Sequence, residues 1–310
     1  MDDKVRDVMI IGAGPSALTA AVYLTREDID TILYEKETIG GLVAITDKVD
    51  NYPGFSEGIE GNLLAEQLEN QAKRFGAQIE YGNVISIRDN DETKSVVVDG
   101  EEKQSKVILI ATGSSYNKIN VPGESEYYGK GVHYCATCDG AFYRDKRLAV
   151  VGGGNSAVQE SIYLMKFAKH IDLLVRSTVK ASDVLQHILK KYVDDGKITV
   201  HLHTTTNEIK ATNGHVSSVV VSENGVLGEI NVDGVFIFAG LKPNTSFLHD
   251  SGIELDDIGF IKTDLKLQTN IAGIYACGDV RSGSTMQIAS AVGEGATVAH
   301  SIREYLHLIK

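Results

Sequence analysis

Two glycine-rich motifs of the same form, far apart in the chain, constrain the fold more than any other feature of the sequence. The first, Gly12-x-Gly14-x-x-Ala17, follows the apolar run Val8–Ile11, and the second, Gly152-x-Gly154-x-x-Ala157, follows another short apolar run. Each motif precedes a helical stretch and then a second strand, which is the order of a β-α-β nucleotide-binding unit. The repeat therefore predicts an α/β protein with two Rossmann-like domains.

The order of the remaining segments predicts that the second domain is inserted into the first. Val107–Gly113 has the composition of a buried strand of the first domain. After the second domain, the sequence again has the pattern of the first domain. It predicts a strand at Gly273–Asp279 and a long helix at Ala289–Leu308. Turn composition places the crossings in polar stretches. We expect a discontinuous outer domain of residues 1–116 and 246–310 and an inserted domain of residues 117–245.

Composition excludes several classes of protein. The chain has a net charge of −12, which opposes coating of nucleic acid or of an anionic membrane. Its apolar runs are far shorter than the roughly 18 residues of a membrane span, and the start Met1-Asp2-Asp3-Lys4 has no apolar signal core. We therefore expect a cytoplasmic protein without nucleic-acid or membrane partners.

The first glycine motif carries the features of a dinucleotide site. Gly12, Gly14 and Ala17 let the backbone approach a pyrophosphate at the N-terminus of a helix, where free N–H groups favour anions. Glu35 lies at the end of the next strand, near the roughly 20-residue spacing of a carboxylate that binds an adenosine ribose. A tight turn alone accounts for the glycines, but the turn together with the acid predicts nucleotide binding.

The segment Cys135-Ala-Thr-Cys138-Asp139 is the predicted chemical centre. A Cys-x-x-Cys pair in a reducing compartment indicates redox or metal chemistry, and the adjacent carboxylate can carry a proton while thiols and disulfide interconvert. Half of a zinc site is the alternative, with His133 as a further ligand. Because the third cysteine, Cys277, lies in a predicted buried strand without a cysteine partner, we favour redox chemistry and expect no metal.

Taken together, these motifs resemble the low-molecular-weight thioredoxin reductases over nearly the whole chain. The motifs that carry the resemblance are the two glycine motifs, Asn51-Tyr-Pro-Gly54, Ala111-Thr112-Gly113, Cys135-Ala-Thr-Cys138-Asp139 and Gly278-Asp279. The resemblance implies FAD in the outer domain and NADPH in the inserted domain. It also implies a homodimer whose protein partner is thioredoxin or a thioredoxin-like protein.

The resemblance also assigns roles to single residues. Cys138 is the sulfur nearest the flavin, Cys135 attacks the disulfide of the partner, and Asp139 carries the proton. Gly278 and Asp279 hold the flavin diphosphate and ribityl region. The other residues that the resemblance places at the cofactor are Gly40, Gly41, Asn51, Ala111, Thr112, Gly113, Gln287 and Ile288.

The sequence departs from the family at the nucleotide site of the inserted domain. Gly152, Gly154 and Ala157 are present, but the usual basic cluster that clamps the 2′-phosphate is reduced to Arg176 and Lys180. If each lost charge-assisted contact is worth about 1.5–3 kcal/mol, two losses weaken binding roughly a hundredfold to ten-thousandfold. NADPH activity is therefore expected to be weak or absent.

Two alternatives remain open on the sequence. In the first, the same disulfide chemistry draws its electrons from ferredoxin or another donor that is not a pyridine nucleotide. In the second, the chain is a flavin-bearing sensing or binding protein in which the cysteine pair is structural. Smaller departures, Leu42 after Gly40-Gly41 and Met286 before Gln287, are expected to leave flavin binding intact.

Overall fold

The computed structural model describes residues 4–46 and 48–309, which divide between two compact units. Unit 1 combines Met1–Ser115 with Lys242–Lys310, and unit 2 is Tyr116–Leu241. The first crossing between the units lies one residue before the expected 116/117, and the second lies four residues before the expected 245/246. Turn-forming residues mark a polar connection but do not fix the residue at which one core ends.

Nineteen strands and six helices are present in the described residues. The strands are β1 (Arg6–Ile11), β2 (Thr31–Glu35), β3 (Lys48–Val49), β4 (Ile59–Glu60), β5 (Gln78–Tyr81), β6 (Val84–Asn90), β7 (Thr93–Val98), β8 (Glu101–Ile110), β9 (Ser114–Tyr116), β10 (Val132–His133), β11 (Arg147–Val151), β12 (His170–Val175), β13 (Ile198–Leu202), β14 (Thr204–Thr212), β15 (His215–Glu223), β16 (Val226–Asn231), β17 (Gly234–Ile237), β18 (Leu241–Pro243) and β19 (Ile274–Ala276). The helices are α1 (Pro15–Thr25), α2 (Gly61–Arg74), α3 (Ala136–Asp139), α4 (Asn155–Leu164), α5 (Asp183–Asp194) and α6 (Ile288–Leu308).

Unit 1 is built on a seven-stranded sheet with the order β5-β2-β1-β8-β7-β6, in which β19 also pairs with β8. Strands β5, β2, β1, β8 and β19 run parallel, whereas β6, β7 and β8 form an antiparallel meander. Small residues allow α6 to pack closely on α1: a Cβ at Gly295 would collide with the backbone of Ser16 and lie 2.9 Å from Thr19 Cβ. The glycine turn before α1 is thus held at the carboxyl edge of the parallel strands.

Unit 2 has a five-stranded parallel sheet with the order β10-β17-β11-β12-β13. One face packs on α4 and α5 through Leu148, Val150 and Phe236. The other face packs on the antiparallel sheet β14-β15-β16 through Ala149, Val235 and other apolar residues. Because both faces are covered, its central strands are almost continuously apolar.

The predicted α/β class is confirmed, with a parallel sheet typical of a Rossmann-like domain in each unit. The helix expected at the first glycine motif is α1, and the helix expected at Ala289–Leu308 is α6. Within the described part of the chain, no helix has both the length and the apolar character that crossing a bilayer requires.

Candidate redox and nucleotide sites

The first glycine motif forms an open turn at the N-terminus of α1. Gly12 has φ of 101°, and a Cβ at this position would lie 2.5 Å from the carbonyl oxygen of Ala111. Gly14 caps α1 in extended backbone, and no protein atom lies within 4 Å of where its Cβ would be. Gly12 is therefore required by the fold itself, whereas the space beside Gly14 is open at the N-terminus of α1.

The side chain of Glu35 is fixed beside this turn. The backbone N–H of Ala13 donates to Glu35 Oε2 at 2.8 Å, and the N–H of Glu37 donates to Oε1 at 2.8 Å. Gly40 donates its N–H to the carbonyl oxygen of Ala13 at 2.8 Å, so the Gly40-Gly41 segment lies against the same turn. The structure thus brings together the residues predicted to hold the adenosine and pyrophosphate.

The loop after β19 contains a buried oxygen without a hydrogen-bond partner. Asp279 Oδ1 is inaccessible to solvent, and no hydrogen bond reaches it. Burial, with a contribution from the charge of Glu294, raises the pKa of Asp279 to about 6. Beside it, Gly278 has φ of 75° and donates its N–H to Glu294 Oε2 at 2.7 Å. An orphaned carboxylate oxygen fits a hydroxyl donor of the kind that a ribityl chain supplies.

Asn51 and Gln287, predicted to lie beside the flavin ring, contact each other in unit 1. Asn51 Nδ2 donates to Gln287 Oε1 at 3.1 Å. Ile288 packs beside them on a small cluster that contains Val43 and Leu64. Polar amides and an apolar floor in one place suit a planar heterocycle with donor and acceptor edges. The residues of unit 1 therefore fit FAD.

The Ala111-Thr112-Gly113 segment is tied to Asn244. Thr112 Oγ1 donates to the carbonyl oxygen of Asn244 at 2.8 Å, and Asn244 Nδ2 donates to the carbonyl oxygen of Thr112 at 2.8 Å. Asn244 also donates its backbone N–H to Gly113 at 3.0 Å. This partner could not be predicted from the sequence, because Asn244 follows a different strand and belongs to no motif.

In unit 2, Cys135 and Cys138 form a disulfide across the first turn of α3. The backbone N–H of Cys138 donates to Cys135 Sγ at 3.2 Å. Both cysteines and Asp139 are partly exposed. An N–H directed at a sulfur stabilises a thiolate there, so Cys135 is equipped to be the attacking sulfur once the pair is reduced.

The third cysteine has the opposite environment. Cys277 is a free thiol that is completely buried in the core of unit 1. Burial raises the pKa of its thiol to about 12. A thiol of this kind stays protonated and packs as a small apolar group.

The second glycine motif repeats the geometry of the first. Gly152 has φ of 145°, and a Cβ there would lie 2.5 Å from the carbonyl oxygen of Phe238. Gly154 caps α4 in extended backbone with no protein atom within 4 Å of its Cβ position, and Ala157 is buried below. The pyrophosphate cradle of unit 2 is therefore intact.

Arg176 and Lys180, the two basic residues predicted to contact a 2′-phosphate, lie beside this cradle. Arg176 directly follows β12 and is exposed, and Lys180 donates its backbone N–H to Gly153 at 2.6 Å. Neither side chain forms an ion pair with another described residue. Both cations are therefore available to an anionic ligand.

Comparison with known proteins places the chain in a family. A family model described as pyridine nucleotide-disulphide oxidoreductase matches residues 6–295. The chain belongs to this family. It is 40% identical to a thioredoxin reductase of Bacillus subtilis (strain 168), over 98% of this chain and 96% of the relative. A thioredoxin reductase of Listeria innocua is 39% identical over 100% of this chain and 96% of its own length.

Solved structures of this oxidoreductase family agree. The crystal structure of a thioredoxin reductase from Streptococcus pyogenes superposes with a TM-score of 0.93, at 36% identity, covering 99% of this chain and 100% of that chain. The thioredoxin reductase from Giardia duodenalis gives a TM-score of 0.91 at 30% identity, over 98% of this chain and 99% of its own. The low-molecular-weight family predicted from the motifs is thereby confirmed.

Two polar groups near the sites of this oxidoreductase were not predicted from its sequence. Glu294 in α6 accepts the Gly278 N–H and pairs with Arg281 Nη2 at 2.6 Å, which fixes the loop that carries Asp279. His133, named above only as the alternative zinc ligand, is hydrogen-bonded through Nε2 to the Tyr143 hydroxyl, and its Nδ1 lies 3.1 Å from Asp139 Oδ2. Neither residue lies in a spaced motif, so only the tertiary structure reveals these contacts.

Proposed function

We propose that the chain is a flavin-dependent disulfide reductase that passes electrons from a donor, through FAD and the Cys135–Cys138 pair, to thioredoxin or a thioredoxin-like protein. The observation that carries the proposal is a partly exposed Cys-x-x-Cys disulfide, followed at once by a carboxylate, in a chain that matches thioredoxin reductases over its whole length. A merely structural disulfide needs neither exposure nor an adjacent acid.

Unit 1 supplies the FAD site in this proposal. The open turn at Gly14 takes the pyrophosphate, Glu35 takes the adenosine ribose, and Asp279 takes a ribityl hydroxyl. The bound flavin supplies two-electron transfer between the donor and a disulfide. FMN lacks the adenosine that Glu35 is placed to bind, so we propose FAD as the pigment.

The two cysteines divide the work. Cys138 exchanges electrons with the flavin, and Cys135, whose sulfur accepts the Cys138 N–H, attacks the disulfide of the partner protein. Asp139 moves the proton that one sulfur releases and another takes up. We also propose that the enzyme works as a homodimer, which the resemblance of its motifs implies.

The electron donor is a separate part of the proposal. The intact cradle at Gly152 and Gly154 favours a pyridine nucleotide, and the free Arg176 and Lys180 leave two cations for a 2′-phosphate. We propose weak NADPH binding, in which these two cations supply the contact that distinguishes NADPH from NADH. Reduced ferredoxin is the alternative donor, although most ferredoxins are acidic and the net charge of −12 opposes their docking.

The decisive experiment compares cysteine variants of the holoenzyme. With Cys135→Ser, we expect the donor to reduce the flavin normally while turnover of oxidised thioredoxin is abolished. Cys277→Ser is the matched control, because it removes the buried third thiol and is expected to leave turnover unchanged. Thioredoxin reduction at the wild-type rate by Cys135→Ser contradicts the assignment. Flavin in the wild-type protein without any thioredoxin turnover favours the sensing protein instead.

A further inference from the structure

A buried histidine in unit 2 connects Asp139 to a tyrosine of the interior. His133, at the end of β10, places Nδ1 3.1 Å from Asp139 Oδ2. On the other side of the ring, Nε2 lies 2.7 Å from the hydroxyl oxygen of Tyr143. The His133 side chain is only 8% exposed, so water does not compete strongly for either contact.

Aromatic packing fixes the plane of the His133 ring. Phe236 of β17 stacks on the imidazole at a centroid distance of 5.1 Å. Tyr143 packs edge-on against both rings, 5.3 Å from His133 and 5.5 Å from Phe236. A ring held on one face and one edge has no free rotation, and its two nitrogens therefore keep their separate partners.

Tyr143, the hydrogen-bond partner of Nε2, lies in an environment that keeps its hydroxyl protonated. Burial raises the pKa of Tyr143 above its ordinary value, and the negative charges of Asp139 and Asp233 raise it further. Its phenol therefore stays protonated, and its hydroxyl lies within hydrogen-bond distance of Nε2. When Nε2 accepts that proton, the N–H of the ring is on Nδ1, which faces the Asp139 carboxylate at 3.1 Å.

We propose that His133, oriented by Tyr143, is a positioning residue for Asp139 in the thiol–disulfide exchange with the partner protein. The inference rests on the proposed function and adds to it two residues outside the Cys-x-x-Cys segment. His133 holds one carboxylate oxygen of Asp139 on its Nδ1–H, so that the carboxylate keeps one orientation beside the cysteine pair.

In the thiol–disulfide exchange, Asp139 acts as a proton acceptor. In the reduced enzyme, Cys135 gives up its thiol proton to the carboxylate and attacks one sulfur of the partner disulfide, forming a mixed disulfide. The S–S bond of the partner breaks, and its departing thiolate takes a proton. Cys138 then attacks Cys135, which releases the second thiol of the partner. The enzyme dithiol is oxidised to a disulfide, the partner disulfide is reduced to a dithiol, and two protons leave with the partner.

Substitutions at His133 separate the Asp139 contact from the Tyr143 contact. His133→Ala removes both the hydrogen bond with Tyr143 and the contact with Asp139. His133→Asn retains an N–H near the place of Nδ1 but cannot reach Tyr143, and Tyr143→Phe removes only the distal hydroxyl. Tyr192→Phe on α5 is the matched control for loss of a phenol in unit 2.

The measurement is a single-turnover reaction of the holoenzyme. Each variant is reduced with dithionite, freed of the reagent and mixed with increasing concentrations of an oxidised bacterial thioredoxin. This chain has no tryptophan, so tryptophan fluorescence reports the partner alone. We expect His133→Ala to lower the limiting rate roughly tenfold to hundredfold with an unchanged half-saturation concentration. His133→Asn should recover most of the rate, and Tyr143→Phe should lose about threefold to tenfold.

Other outcomes lead to distinct conclusions. Equal losses for His133→Ala and His133→Asn, or a change confined to the half-saturation concentration, would overturn the positioning role. If His133→Ala does not fold, His133→Asn and Tyr143→Phe carry the test, and wild-type limiting rates for both overturn it. Asp139→Asn separates the proposed function of Asp139 from the proposed role of His133. A wild-type rate of exchange in Asp139→Asn refutes Asp139 as the proton carrier. A slow rate in Asp139→Asn together with a normal rate in His133→Ala refutes only the positioning role of His133.

Discussion

The backbone N–H of Ala13 donates to Glu35 Oε2 at 2.8 Å and ties the glycine turn of unit 1 to the end of β2. The other carboxylate oxygen accepts the N–H of Glu37. Because the protein itself orients the carboxylate, a ribose that binds there meets an acceptor that needs no rearrangement.

Glu35→Gln is expected to disturb both the turn and the cofactor. The amide replaces one acceptor oxygen with an NH₂ group, which then faces a backbone N–H donor. We expect a loss of about 1–3 kcal/mol in the free energy of unfolding and a lower FAD content per chain. Urea unfolding and the ratio of flavin to protein absorbance measure these effects. Full FAD content at unchanged stability contradicts the assignment of Glu35.

Alanine substitutions at the two glycines of the first motif are expected to have different effects. Gly12→Ala puts a Cβ 2.5 Å from the Ala111 carbonyl oxygen at φ of 101°, so we expect a large loss of stability, about 1–3 kcal/mol from the backbone strain alone. Gly14→Ala meets no protein atom within 4 Å, so this variant should fold normally. Its methyl group enters the space assigned to the pyrophosphate, and we expect FAD affinity to fall tenfold or more.

Thermal unfolding of the flavin-extracted proteins and FAD titration separate the two glycine effects. Normal FAD affinity in a well-folded Gly14→Ala variant would falsify the placement of the pyrophosphate at this turn.

The sequence predicted the parts of the fold that depend on local pattern. Glycines at fixed spacing after an apolar run identified both β-α-β units, and the apolar run Val107–Gly113 overlaps the last four residues of β8. The antiparallel strands β6–β7 and β14–β16 were not predicted. In β16 five of the six residues are exposed and the other is half-buried, so the alternation that marks a strand is absent and pairing with β15 defines it.

In the candidate sites too, only the features that depend on local sequence were predicted. Cys135, Cys138 and Asp139 are adjacent in sequence, and their chemistry can be predicted from spacing alone. The hydrogen bonds of His133 to Tyr143 and of Gly278 to Glu294 join residues on different elements. Contacts of this kind depend on how strands and helices are packed, and no local periodicity encodes them.

Arg176 is proposed to contact the 2′-phosphate of the electron donor NADPH. NADPH differs from NADH by a 2′-phosphate, so Arg176→Ala is expected to raise the KM for NADPH tenfold to hundredfold and leave the KM for NADH unchanged. Lys191→Ala, an exposed lysine on α5, is the control. Stopped-flow reduction of the bound flavin by each nucleotide measures the effect. Equal KM changes for both nucleotides exclude a phosphate contact.

Gly154→Ala tests the cradle of unit 2 independently of charge. It meets no protein atom, so the variant should fold, yet its methyl group obstructs a pyrophosphate. We expect reduction by either nucleotide to slow at low concentration, while reduction by ferredoxin is unaffected. Rapid flavin reduction by ferredoxin and none by NADPH or NADH in the wild type selects the alternative donor. Rapid, saturable reduction at micromolar NADPH shows that Arg176 and Lys180 are sufficient.

The raised pKa of Asp279 makes the stability of the protein depend on pH. In the folded protein its pKa is about 6, above the ordinary value of 3.8, because the carboxylate is buried beside the charge of Glu294. The folded state therefore holds this proton more tightly than the unfolded state. The stability that the protonated carboxyl contributes is complete below about pH 4 and is lost as the pH rises through about 6, by at most about 3 kcal/mol.

The side chain introduced by Asp279→Asn is neutral at every pH, so this variant does not lose stability as the pH rises. With the flavin extracted, we expect the variant to be more stable than the wild type at pH 7.5, and the difference to shrink toward pH 4. FAD binding should weaken at the same time, because an amide replaces one acceptor oxygen. Urea unfolding at a series of pH values measures the difference, with Asp250→Asn as an exposed control. A variant that is less stable than the wild type at pH 7.5 shows that the Asp279 charge is compensated by the protein rather than kept for a ligand.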